Sequence, residues 1–74
     1  MIRHLGESIR AQREARKLSQ LALALEAGLS KTYLCDVEKG RRNPSFTIIC
    51  RIAKALEMEP SELLSGINVM PIQK

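Results

Sequence analysis

The sequence predicts an all-α domain of five short helices. Three observations carry that prediction. Apolar residues recur at helical spacing in successive segments, and no segment needs to be read as a strand. Serines at 19, 30 and 45 stand directly ahead of such segments, where a helix N-cap belongs. Glycines at 28, 40 and 66 stand directly behind them, where a helix ends. A chain of 74 residues suffices for one domain and one small core. With Tyr33 and Phe46 its only aromatic residues, that core must be aliphatic.

The first helix is predicted over residues 2–17, where Leu5 and Ile9 share a face that Arg13 continues. The second starts after Ser19, with Leu18 and Leu23 placed as a hydrophobic staple. Ala22 cannot complete a capping box with Ser19. Gly28 can adopt the positive φ that closes this helix. The third covers about residues 30–39, capped by Ser30, stapled by Leu29 and Leu34, and stopped at Gly40. RRNP follows as a loop. Ser45 caps the fourth helix, whose inner face is predicted to be Phe46, Ile49, Ile52, Ala53 and Leu56. Glu59 and then Pro60, at the first helical position, open the fifth. It carries Leu63 and Leu64 and ends at Gly66. The remaining INVMPIQK has no helical period, and Pro71 argues against a regular element there. The domain is therefore placed at residues 1–66, with a short tail at 67–74.

Charge is unevenly spread. Residues 1–54 hold eleven Lys/Arg against five Asp/Glu, a net of +6. Residues 55–74 hold Lys74 against Glu57, Glu59 and Glu62, a net of −2. A polyanion is the natural partner of the basic part, and the acidic end should face away from it. No apolar run is long enough to span a bilayer, and no charged-then-apolar amino-terminal signal is present, so a cytoplasmic protein is expected. Cys35 and Cys50 are too few for a disulfide framework and match no metal spacing. Cys35 is read as a small residue rather than as a redox switch. His4, the only histidine, has no partner at ligand spacing. Ser8, Ser61 and Ser65 have no base beside them in the pattern. No catalytic constellation, metal site, cofactor or small-molecule ligand is implied.

The second and third helices form the informative unit. Ala24 is small where the two must cross, Gly28 sits at the turn, and Leu23, Ala27, Leu29, Leu34 and Val37 point inward. That is a helix-turn-helix, which lays its second helix in the major groove of DNA. The chain resembles the helix-turn-helix family of phage Cro and CI repressors, the lambda-repressor-like fold. The resemblance covers about residues 5–66 and rests on LSQ at 18–20, LALEAGLS at 23–30, YLCDVEKGRRNPS at 33–45 and RIAKALEMEPSELL at 51–64.

By that resemblance, Lys31, Thr32 and Asp36 reach base edges. Lysine can donate to guanine, threonine can pack on a thymine methyl, and aspartate can accept from cytosine N4. Gln20, Tyr33, Lys39, Arg41, Arg42 and Asn43 suit phosphate contacts, which hold register and carry little sequence information. Arg13 and Glu38 occupy inward faces, and the family carries the same pair as a structural bridge between the first and third helices. The resemblance implies a transcriptional regulator on double-stranded DNA, acting as a homodimer on an inverted repeat. Ile48, Leu64, Ile67 and Val69, with Met70 and Ile72 nearby, are the expected dimer interface. The length leaves no room for a separate effector domain, which favours the restriction–modification controller subtype.

Some positions depart from the family pattern. Leu21, Ala22 and Leu25 stand where charged or acidic residues are usual, and Gln12 where the first helix is often apolar. Leu21 and Leu25 lie one turn apart and make an apolar stripe on a face that is normally wet. That stripe and the apolar tail are the cue for the alternative reading: an antitoxin or other interaction protein whose main task is to bind a protein partner.

Overall fold

The computed structural model describes residues 2–65, an all-helical domain with no strand among them. In chain order the helices are α1 (Ile2–Ala15), α2 (Gln20–Ala27), α3 (Lys31–Glu38), α4 (Phe46–Ala55) and α5 (Pro60–Ser65). The starts of α2 to α5 are each fixed by a side chain that occupies an otherwise unsatisfied backbone donor. The Oγ of Ser19 accepts from the Ala22 N–H at 3.0 Å, that of Ser30 from Tyr33 at 3.0 Å, and that of Ser45 from Ile48 at 3.3 Å. At α5 the direction reverses: the Glu59 N–H donates to Oε1 of Glu62 at 2.8 Å.

Helices α1 to α4 end in the same way. The N–H of Leu18 reaches back to the carbonyl of Arg13, and Leu29 to Ala24, Arg41 to Asp36 and Met58 to Ala53 do likewise, at 2.8–3.1 Å. Each such turn needs one residue at positive φ. Gly28 (73°) and Gly40 (77°) serve two of them. Lys17 (58°) and Glu57 (59°) serve the others, at about 1–2 kcal/mol each for a residue bearing a Cβ. The first helix therefore stops at Ala15, two residues before the predicted end.

The core is aliphatic throughout: Leu5, Ile9, Leu23, Ala24, Ala27, Leu34, Val37, Ile49, Ile52, Ala53, Leu56 and Leu63. Leu18, Leu29, Tyr33, Ile48, Ala55 and Met58 pack against its edge. α3 is held from behind by α1 and α2; α4 lies against α2 and α5, and α5 also meets α1. One expectation is corrected. Phe46 is not on the inner face of α4; it is 64% exposed, and the buried stripe begins a turn later at Ile49. Helical side chains lean toward the N-terminus, so a side chain at the first position projects off the end of that stripe.

Candidate nucleic-acid interface

The position of α3 is set by contacts on its inner side. Leu34 and Val37 enter the core, and Glu38 is buried with them. The Arg13 guanidinium meets the Glu38 carboxylate with both ends: Nε to Oε2 at 2.8 Å and a terminal nitrogen to Oε1 at 3.2 Å. The third guanidinium nitrogen donates to the Leu18 carbonyl at 2.8 Å, tying the bridge to the loop before α2. Gln20 Nε2 donates to the same Glu38 Oε1 at 3.0 Å. Three elements thus converge on one buried carboxylate. The hydrogen bonds to Glu38 raise the Arg13 pKa above its ordinary value, against the opposing effect of burial.

Sequence reasoning missed two features that fix the position of α3. The Gln20–Glu38 bond joins residues eighteen apart and depends on the crossing of α2 over α3. Gly6 is the other. A Cβ there would lie 2.5 Å from the Val37 carbonyl oxygen and 2.6 Å from that of Glu38, both backbone atoms. Only glycine lets α1 approach the end of α3 so closely. A glycine inside a helical pattern is costly, and that cost is the available clue to such a contact.

The outward side of α3 and its exit carry the remaining candidates. Lys31, Thr32, Lys39, Arg41, Arg42 and Asn43 are exposed, and Tyr33, Cys35 and Asp36 half-buried. The Arg42 guanidinium lies over the Tyr33 ring, 5.3 Å from its centroid, and its Nε is 3.9 Å from Asp36 Oδ2. Arg42 therefore folds back along α3. Gln20, Lys31, Thr32, Cys35 and Asp36 line one depression on this side. The side-chain nitrogen of Gln20 already donates to Glu38, and the backbone N–H groups opening α2 are further donors for an anion near Gln20.

Of the residues expected at a dimer interface, Leu64 is half exposed on α5, whereas Ile48 is half-buried against the core. Ile67 and Val69, with Met70 and Ile72, lie outside the described residues. Leu21 and Leu25 are 52% and 71% exposed on α2. Among the described residues no helix is long and apolar enough to cross a membrane, and no group of three or more His, Cys, Asp or Glu is placed to hold a metal ion.

A family model described as helix-turn-helix matches residues 9–63. The immunity repressor protein of Bacillus phage phi105 is 42% identical over 60 residues, which cover 81% of this chain and 42% of that protein. Control protein C.BamHI of Bacillus amyloliquefaciens is 42% identical over 65 residues, covering 86% of this chain and 80% of that protein. The crystal structure of the restriction–modification controller protein C.AhdI from Aeromonas hydrophila superposes with a TM-score of 0.82 at 42% identity, covering 84% of this chain and 94% of that one. The chain spans only 35–46% of the length of that immunity repressor and of several other curated relatives it matches.

Proposed function

The chain belongs to the helix-turn-helix family, and from that premise we propose that it is a sequence-specific DNA-binding regulator of transcription, acting as a homodimer on an inverted repeat with α3 in the major groove. One observation carries the reading. The outward side of α3 is exposed and mostly cationic at its two ends, while its inner side is locked by Arg13, Gln20 and Glu38. A preformed helix with basic ends fits a groove walled by phosphates. Lys31, Thr32 and Asp36 read bases in this arrangement. Tyr33, Lys39, Arg41, Arg42, Asn43 and the backbone at Gln20 hold phosphates.

Within this class, a restriction–modification controller is the favoured subtype. Its support is the near full-length match to C.BamHI and to C.AhdI. The domain occupies residues 1–66, it is not an enzyme, and it works in the cytoplasm on the nucleoid. Pairing runs through the acidic end, around Leu64, Ile67 and Val69 with Ile48 at the margin, and leaves the basic part free for DNA. Two recognition helices about 34 Å apart then read successive major grooves. The exposed Leu21 and Leu25 favour a second reading, a protein partner held on α2, as an antitoxin would hold its toxin.

Selection of bound duplexes from a random pool tests the first reading; it should return one palindromic site. Light scattering of the parent, Leu64→Asp and Ile67→Asp should give a dimer for the parent and a shift to monomer for the variants. A pool that returns no shared sequence would refute the regulator reading. A dimer indifferent to both substitutions would move the interface elsewhere.

A further inference from the structure

Leu21 and Leu25 lie one turn apart on α2, and both are more than half exposed. Leu25 also lines a groove of about 550 Å³ between the end of α2 and α4. We propose that this groove takes an amphipathic helix of another protein, one whose apolar side chains are flanked by carboxylates on the side that meets α4. The inference deepens the reading of a protein partner on α2 and rests on it. It draws on no residue assigned to DNA.

The two sides of the groove are unlike. Leu25 and Glu26 belong to α2, Arg51 and Lys54 to α4. The other lining residues, Ala27, Gly28 and Ala55, bring no more than a methyl group, so a side chain from outside can approach the backbone there. Arg51 and Lys54 are three residues apart and share a face of α4. Arg51 reaches across to the turn after α2: its Nη1 lies 3.8 Å from the position a Cβ of residue 28 would take. Neither the Arg51 nor the Lys54 side chain has an ion pair or hydrogen bond among the described residues.

Exposed leucines beside two such cations define the chemistry of the occupant. A phosphate backbone would meet the cations but gain nothing from Leu21 and Leu25. A purely apolar segment would cover the leucines and leave the cations without a counter-charge. A segment that is both apolar and acidic satisfies both. Glu26 fixes which way round it lies: a carboxylate on the α2 side would face Glu26, and one on the α4 side faces Arg51 and Lys54. The segment is a helix because the groove offers no main-chain ladder. The N–H groups of Gly28 and Leu29 already donate to the carbonyls of Leu25 and Ala24, at 3.2 and 2.8 Å. An extended partner would find no edge to pair with here, whereas a helix satisfies its own backbone.

The probe is a displayed library of helical peptides of about 20 residues, selected on the whole chain and counter-selected on Leu25→Asp. Leu25, Arg51 and Lys54 are exposed, and circular dichroism checks that each variant folds. The recovered peptides should carry apolar residues one turn apart with Asp or Glu beside them. In anisotropy titrations Leu25→Ser should weaken such a peptide roughly tenfold or more, and Leu21→Ser roughly threefold. Arg51→Glu combined with Lys54→Glu should weaken it roughly tenfold. A peptide with lysines in place of its acidic residues should bind that double variant within about threefold of the original pair, and the parent roughly tenfold more weakly.

Peptides that depend on Leu25 but carry no acidic residues, or that ignore the charge reversal, overturn the proposal and leave a protein partner on α2 standing. A library that yields no Leu25-dependent peptide overturns both. A lower mass in light scattering for Leu25→Asp would assign the face to a second copy of this chain. Roughly tenfold weaker binding of duplex DNA by the Arg51 and Lys54 double variant would assign it to DNA. Either result overturns the proposal.

Discussion

Replacing Arg13 with Met isolates the bridge behind α3. The change removes bonds of 2.8 and 3.2 Å to Glu38 and one of 2.8 Å to the Leu18 carbonyl. It leaves behind a carboxylate whose side chain is 3% exposed. Stripping one partner from a buried pair costs about 3–5 kcal/mol. Two features set the loss at the lower end. Gln20 still donates at 3.0 Å, and the Arg13 side chain is 11% exposed, so water can enter behind the shorter residue. Methionine retains most of the aliphatic packing. The expected loss is about 3 kcal/mol, from a total of roughly 4–11 kcal/mol for a chain of this size. The melting temperature should fall by roughly 12–24 °C. Arg13→Met with Glu38→Leu removes the stranded charge and should recover more than half of the loss. Urea and thermal unfolding of the parent, the single and the double variant would measure this. A single variant within about 0.5 kcal/mol of the parent, the range of ordinary surface changes, would refute the reasoning. A double variant with losses that simply add would refute it equally.

Gly6→Ala should cost about 2 kcal/mol although alanine is the better helix former, because its Cβ meets two backbone oxygens; an unchanged melt would show that α1 can slide. Ala24→Leu should lose roughly 1–3 kcal/mol by overpacking a fully buried crossing point, read by the same melts. Glu57→Gly should gain about 0.5 kcal/mol by relieving a left-handed backbone, and a loss would locate a role for the Glu57 side chain. In DNA titrations at several salt concentrations, Lys31→Ala should cost about 1–3 kcal/mol on the best site and relax its sequence preference. Lys39→Ala should instead weaken all duplexes alike and reduce the salt slope by about one.

What was legible in the sequence is what depends on near neighbours. Ser19, Ser30 and Ser45 act three residues along the chain, so their caps could be read directly. Ala24, Gly28, Leu34 and Val37 followed from the spacing of two short helices. The ends at Lys17 and Glu57 were less plain, because neither carries the glycine that usually marks a left-handed turn. Phe46 misled because periodicity gives the direction of a face but not where along the helix the neighbouring elements begin. The site residues divide in the same way. Arg13 and Glu38 showed themselves as charges on inward faces. The third member of that cluster, Gln20, did not, since a polar residue opening a helix is ordinary. The return of Arg42 onto Tyr33 and Asp36 depends on the path of the loop after Gly40, which no local pattern specifies.

α3 has eight residues, well short of the roughly 12–15 at which an isolated helix becomes marginally stable in water. Its shape therefore exists only while Leu34, Val37 and Glu38 are seated. The outward side of α3 has no independent way to fray. The amide protons of Leu34, Val37 and Glu38 should exchange with solvent only when the whole domain opens, at the same free energy as that of Ile52 in α4. For whatever binds that surface, the helix arrives already formed. Association should then show little ordering cost in the protein, and a heat-capacity change that reflects the contact area rather than folding.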